Sequence, residues 1–202
     1  MRVIRQFEAM PIAPAARDVL VRLGAYRSED VSMFKRATRE LSSLRPSGRY
    51  VCVPVRLERD AVYLADRCVE SRSLARYLAG CEAALVLAAT LGPRVCKAIA
   101  QAFEQGRAED AVWMDAAASV AVDAGLDFML QQARVQLRKE TGVLQPMRYS
   151  PGYGDCPITA QGDLFALVQA QQLGLSLSEG MMLMPEKSVL AVCGVQYAKE
   201  QR

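Results

Sequence analysis

The longest helical signal in the chain runs from Glu109 to about Lys139 and is interrupted only by Gly125. Alanine, valine, leucine, tryptophan and methionine make up its background, so this is a helix for the inside of a fold. Gly125 weakens a helix intrinsically and suits a place where another segment packs close. A narrow polar row breaks the apolar background at Asp115, Ser119, Asp123 and Asp127. Four-residue spacing keeps neighbours in that row on one face, with a slow drift around the helix. Two readings stand for it. The row is either a solvated edge or the wall of a polar cleft, where an acid receives a ligand's amine or hydroxyls.

Around this helix the patterns alternate between helix and strand. Pro11 to Leu23 reads as a short amphipathic helix ending at Gly24, and a second helix runs from about Glu29 to Leu44, capped by Ser28 and stopped before Pro46 and Gly48. Tyr50 to Leu57 alternates as a strand, turns at Arg59-Asp60 and returns over Ala61 to Leu64. Ser71 to Leu78 reads as helix closed by Gly80, and Ala83 to Thr90 is a continuous apolar run of the kind found in a buried strand. Helices follow from Gly92-Pro93 toward Glu104 and from Thr159 to about Gln172. Strands over Met181 to Met184 and Ser188 to Val195 flank Pro185-Glu186-Lys187. Strands at both ends of the pattern imply an α+β fold. At 202 residues the chain is expected to form one compact unit, with an N-terminal helical segment over 1–48 and an α+β core over 49–202.

Composition removes several functions. Histidine is absent, which takes away the commonest general base, the triads that depend on it and most transition-metal sites. Six cysteines stand far apart at 52, 68, 81, 96, 156 and 193, and no metal-binding pair exists among them. Spread thiols without a secretory leader point to a reducing, cytoplasmic setting. The longest apolar stretch, Ala83 to Leu91, is too short to span a bilayer, so no membrane partner is expected. The net charge is only +3 and the basic residues are mixed with acids, so no nucleic-acid partner is expected either. No phosphate-binding glycine loop is present, and Thr90-Leu91-Gly92-Pro93 reads as an ordinary strand-to-helix turn. The methionines at 181, 182 and 184 read as core filling.

The segment from Arg148 to Pro157, Arg-Tyr-Ser-Pro-Gly-Tyr-Gly-Asp-Cys-Pro, carries the densest chemistry. Prolines stiffen it, while Gly152 and Gly154 permit backbone geometry that a side chain would forbid. Arg148 offers a planar fork for a carboxylate, Tyr149 and Tyr153 offer ring faces and hydroxyls, and Asp155 accepts from a hydroxyl or amine. The segment reads either as a binding loop or as a tight connection before the next helix. A nearby arginine also leaves open a reactive thiol at Cys156.

Arg148, Pro151, Gly152, Tyr153, Cys156 and Pro157 match, in order, the adenosylmethionine-binding signature of the activation domain of cobalamin-dependent methionine synthase, which this loop resembles. Similar stretches elsewhere are Tyr77-Leu78-Ala79-Gly80-Cys81-Glu82, Leu87-Ala88-Ala89-Thr90-Leu91-Gly92, Met114-Asp115-Ala116-Ala117-Ala118-Ser119 and Pro185-Glu186-Lys187-Ser188-Val189. The resemblance implies a twisted, mainly antiparallel sheet flanked by helices. It also implies S-adenosylmethionine binding, with the methyl group destined for cob(I)alamin after reduction of inactive cob(II)alamin. Arg148 would hold the methionine carboxylate, Tyr153 would touch the ligand and Asp123 would supply an acidic contact. Tyr149, Pro151, Gly152, Asp155 and Cys156 complete the implied cofactor-binding set, with no catalytic residue and no metal ligand assigned.

The chain has no room for homocysteine, folate and corrinoid domains, and without histidine it has no Asp-x-His-x-x-Gly corrinoid motif. The resemblance therefore implies a reactivation module. Its cobalamin would be carried by a partner, a corrinoid-binding methyltransferase subunit, and an electron-donor protein would supply the reduction. A non-catalytic scaffold of the same fold for a corrinoid protein is the alternative. One departure stands inside the signature: Gly154-Asp155 replaces the proline-alanine pair of the methionine synthase form. That exchange is expected to loosen the loop and add a charge.

Overall fold

The structure, a computed structural model, describes residues 3–25 and 27–198. The described elements, in chain order, are β1 (Ile4–Phe7), α1 (Ala16–Arg22), α2 (Val31–Ser42), β2 (Ser47–Glu58), β3 (Ala61–Leu64), β4 (Arg67–Glu70), α3 (Arg72–Tyr77), β5 (Ala83–Thr90), α4 (Pro93–Glu104), α5 (Ala108–Leu137), β6 (Gly142–Leu144), α6 (Ala160–Val168), β7 (Ser176–Leu177), β8 (Leu183–Met184) and β9 (Ser188–Tyr197). Seven strands form one sheet in the order β4-β3-β2-β5-β9-β6, with β1 beside β2, and every pairing is antiparallel. The α+β fold with a mainly antiparallel sheet is thus what the chain adopts.

Alternation along the central strands divides the core between two faces, because successive side chains leave a strand on opposite sides. Ala83, Leu85, Leu87 and Ala89 of β5 join Ala191, Cys193 and Val195 of β9 beneath Leu126, Met129, Leu130 and Ala133 of α5. Ala84, Val86 and Ala88 join Leu190 and Val192 on the other face, against Leu164, Leu167 and Val168 of α6 and Leu74 of α3. With helices over both faces, β5 is buried at every position, which is why its sequence reads as an unbroken apolar run.

Helix α5 organises the fold. Its 30 residues extend ~45 Å. The N-terminal half lies against α1 and α2 through Trp113, Ala117 and Val120, and against α4 through Ala111 and Ala118. The C-terminal half lies on the sheet. Gly125 marks a close approach, as expected: a Cβ there would stand 3.0 Å from Met10 Cε and 3.0 Å from Pro46 Cγ.

Several boundaries differ from the sequence reading. Helix α1 starts at Ala16 rather than Pro11, because Pro14 disfavours helical backbone before it and Ala15 is extended (φ −72°, ψ 140°). Asp30, not Ser28, caps α2 by accepting from Ser32 N at 2.8 Å. Helix α6 stops at Val168 because Gln169 takes a left-handed φ of 53°, and a 3₁₀ turn over Ala170–Leu173 follows. The strand expected over Met181 to Met184 shrinks to β8, which pairs with β7 in a separate ribbon. Strands β1, β4, β6 and β7 lie outside the sequence reading, since they are short segments that lack a clear period. The segment before residue 49 supplies β1 to the sheet as well as α1 and α2 to α5. Among the described residues no helix is long and apolar enough to cross a membrane.

Candidate functional site

The polar row of α5 opens onto a cleft of about 1390 Å³. One wall is α5 itself, through Asp123, Asp127, Gln131 and Arg134. The extended stretch from Pro11 to Pro14, with Asp18 and Arg22 of α1, forms a second wall. Arg148, Tyr149 and Tyr153 form the third. The prolines that open the N-terminal stretch therefore build a stiff wall instead of a helix.

Each member of the polar row meets a partner from another segment. Lys187, whose side chain is largely buried, pairs with Asp115 Oδ1 at 2.6 Å and donates to Ser119 Oγ at 3.0 Å. Arg22 Nη1 lies 3.9 Å from Asp123 Oδ2, and Arg148 Nη1 forms an ion pair with Asp127. The row is thus a line of attachment for the residue that precedes β9, for α1 and for the 148–157 loop, and its last two acids face the cleft. Asp123 and Asp127 line the cleft and are also 48% and 69% exposed, so the row is a solvated edge that borders the cleft at its C-terminal end. Opposite charges alternate there, a setting that suits a zwitterionic ligand.

The loop grows out of an interrupted edge strand. After β6, Gln145 N donates to Gly194 O at 2.9 Å, and Tyr149 exchanges both backbone hydrogen bonds with Val192 of β9 at 2.9 and 2.7 Å. Arg148 leaves the chain immediately before that bridge, so the sheet edge places its guanidinium. Gly152, at φ 89°, closes a turn in which its N–H reaches Cys156 O at 3.0 Å and Cys156 N reaches Tyr153 O at 3.0 Å. Pro151 is buried, and the Tyr153 ring projects with 67% exposure.

Gly154-Asp155 does not loosen this loop. The Asp155 carboxylate accepts from Ser71 Oγ at 2.7 Å, Arg72 N at 3.0 Å, Ser73 N at 3.0 Å and also Ser73 Oγ, all at the start of α3. The hydrogen bond from the Ser73 side chain, then that from Ser71, holds its carboxyl far below the usual carboxylate range. The added charge is spent within the protein, and the expectation of a looser loop is corrected for that reason. Cys156 is 4% exposed, and burial pushes its thiol up, opposite to what a reactive thiolate needs.

Of the residues singled out in the sequence, Arg148, Tyr149, Tyr153 and Asp123 face the cleft. Pro151, Gly152, Asp155 and Cys156 do not line it and instead shape the loop. Among the charged lining residues, Asp18, Arg22 and Arg134 escaped the sequence reading, and Asp127 enters it only as part of the polar row. Asp127 carried a legible signal, one turn beyond Asp123 in the polar row. The others are surface-type charges on helices, with nothing local to mark them.

An antiparallel sheet thus carries one long buried helix, and a charged cleft lies between that helix and a Pro-Gly-Tyr loop at the sheet edge. The fold is similar to that of the MetH reactivation domain bound to AdoHcy, with a TM-score of 0.65 and 15% identity over 95% of this chain and 78% of that chain. Residues 125–202 match the family model described as vitamin B12 dependent methionine synthase, activation domain. The chain resembles that activation domain in fold along nearly its whole length, and in sequence over the part that contains Asp127, Arg148 and the loop. Asp123 lies just outside the matched residues. No curated protein matches the chain.

Proposed function

We propose that the chain binds S-adenosylmethionine and supports reductive reactivation, by remethylation, of the corrinoid of a separate cobalamin-dependent methyltransferase. The observation that carries this reading is that Asp123 of α5 and Arg148, Tyr149 and Tyr153 of the loop line one cleft. Its 1390 Å³ exceed the roughly 300–1,000 Å³ of ordinary small-molecule sites, so an adenosyl compound would leave room for a partner's cofactor face. The residues fit the ligand's ends. Arg148 would take the amino-acid carboxylate, Asp123 its amine, and the Tyr153 ring a flat base.

The donor, when bound, supplies a methyl group on a positively charged sulfur with a neutral thioether as leaving group. Such a reaction needs alignment more than proton transfer, which suits a chain without histidine. Its own residues would orient the two ends of the donor, and the apolar flank made by Ile12, Val120 and Leu126 would exclude water. The corrinoid would arrive on a partner subunit and the electron from a donor protein. Calorimetric titration with S-adenosylmethionine tests the reading. Saturable binding supports it, and no heat with or without a corrinoid protein present sinks it.

A scaffold reading draws on the internal pairing of Arg148 with Asp127 and of Arg22 with Asp123, which leaves the cleft's charges already balanced. Capture of a corrinoid protein that is indifferent to added S-adenosylmethionine, by a chain that binds no donor, would favour that version.

A further inference from the structure

Gly154 and Asp155 tie the loop to α3 with a geometry that reaches the cleft. Both oxygens of the Asp155 carboxylate are used: Oδ1 accepts from Ser71 Oγ, Ser73 N and Ser73 Oγ, and Oδ2 accepts from Arg72 N. Asp155 N in turn donates to Ser73 Oγ at 3.3 Å. Ser73 Oγ lies 2.7 Å from Tyr149 Oη, and Tyr149 Oη lies 2.6 Å from Tyr153 O.

Proton accounting orders this chain. Ser73 and Tyr149 have one hydroxyl proton each, and a carboxylate can only accept. With the Ser73 proton on Asp155, the single Tyr149 proton is shared as a three-centre bond between Ser73 Oγ and Tyr153 O, and through it the Tyr149 ring and the Tyr153 backbone are tied to the Ser73 hydroxyl that the carboxylate fixes. The rings follow the backbone. Tyr149 lies 5.4 Å from Tyr77 and 6.4 Å from Tyr153 between ring centroids, and Tyr77 Oη anchors to Met147 O at 2.5 Å.

Glycine at 154 makes the approach possible. Its φ is 57°, and a Cβ there would stand 2.6 Å from Ser73 Oγ, inside contact distance. Any other residue would push Ser73 away from the carboxylate. The pair therefore works as a unit, glycine for the approach and aspartate for the bonds.

We infer that Asp155 is a positioning residue which, through Ser73 and Tyr149, fixes the aromatic wall of the cleft and so sets its affinity for an adenosyl ligand. The affinity part rests on reading the cleft as an S-adenosylmethionine site. Asp155 itself contacts no ligand, since its oxygens are taken by α3 and it lies off the cleft lining.

The test uses the full chain as wild type, Asp155→Asn, Ser73→Ala, Ser73→Thr and the double variant Asp155→Asn/Ser73→Ala. Each is titrated with S-adenosylmethionine and followed by hydrogen exchange without ligand. Asp155→Asn and Ser73→Ala are each expected to weaken binding roughly tenfold, and the double variant no further than the worse single. Ser73→Thr, which keeps the hydroxyl, is expected to restore most of the affinity. In the ligand-free protein the amides of Gly152, Tyr153 and Cys156 should exchange faster in Asp155→Asn while those of α5 do not change. Wild-type affinity in Asp155→Asn, or undiminished protection of those three amides, overturns the inference. Wild type that takes up no S-adenosylmethionine instead overturns the reading of the cleft, and the exchange arm then decides the staple on its own.

Discussion

Arg148 and Asp127 form an ion pair at the cleft in which the two side chains are unequally placed, the arginine 24% exposed and the aspartate 69%. The backbone next to Arg148 is pinned to the sheet edge at Tyr149 and its side chain is largely buried, whereas the carboxylate stands near water on α5. Asp127 therefore occupies the place where a ligand carboxylate would meet the arginine fork, and the exchange of one carboxylate for the other costs little desolvation.

Two substitutions at this pair should move affinity in opposite directions. Arg148→Ala is expected to weaken S-adenosylmethionine binding by on the order of 10–100-fold, through loss of a charge-assisted bond. Asp127→Asn removes the resident competitor and should strengthen binding by about 2–5-fold, in line with the small worth of a solvent-exposed pair. Calorimetry reads both. A weaker ligand in Asp127→Asn would mean that the aspartate orients the arginine rather than competing for it.

Gly194 sits in β9 under the edge segment that carries the loop. A Cβ there would stand 2.6 Å from Cys81 Sγ, 3.0 Å from Gln145 Cγ and 3.1 Å from Leu78 Cδ2. Gly194→Ala is expected to destabilise the fold by about 1–3 kcal/mol through overpacking, seen as a lower urea midpoint at unchanged slope. An unaltered midpoint would show that the strand yields there.

Asp155 predicts a pH dependence. Its carboxyl is held below its ordinary range in the folded chain, mainly by Ser73, so the unfolded chain binds the proton more readily. Its stabilising effect is full above the ordinary carboxylate pKa and is lost as pH falls through the depressed folded value. Wild type should melt higher than Asp155→Asn near neutrality, and the gap should close on strong acidification. Melting temperatures of the two proteins across pH measure it, and a constant gap refutes the assignment.

Thiol accessibility gives a further prediction. Burial is the main cause that pushes the thiols of Cys52, Cys156 and Cys193 up, whereas Cys68 is exposed on β4. Mass spectrometry after brief alkylation at neutral pH should find Cys68 modified first and Cys156 untouched until denaturant is added. Early modification of Cys156 would restore the case for a reactive thiol in the loop.

Much of the core was legible because it is periodic. The run from Ala83 to Thr90 forms β5 with the expected bounds, the return strand over Ala61 to Leu64 forms β3, and the long apolar segment forms α5 with its glycine at a close contact. Edge strands such as Ile4–Phe7 and Arg67–Glu70 escaped, since a polar four-residue strand is made by its neighbour's free hydrogen-bonding groups and not by its own pattern. The resemblance implies a ligand contact for Asp155, whereas its carboxylate faces residues 71–73, more than eighty positions earlier.

Sequence alone determined the fold class, the central helix and the residue types at the cleft, because apolar period, turn chemistry and the ordered Arg148 to Pro157 signature are local properties. Tertiary structure decided which charges meet. Asp123 faces Arg22, Asp127 faces Arg148 and Asp155 binds the start of α3 because the antiparallel sheet and α5 bring distant segments to one edge. A carboxylate's role depends on which donors stand within about 3 Å of it, and that distance is set by the fold and not by chain order.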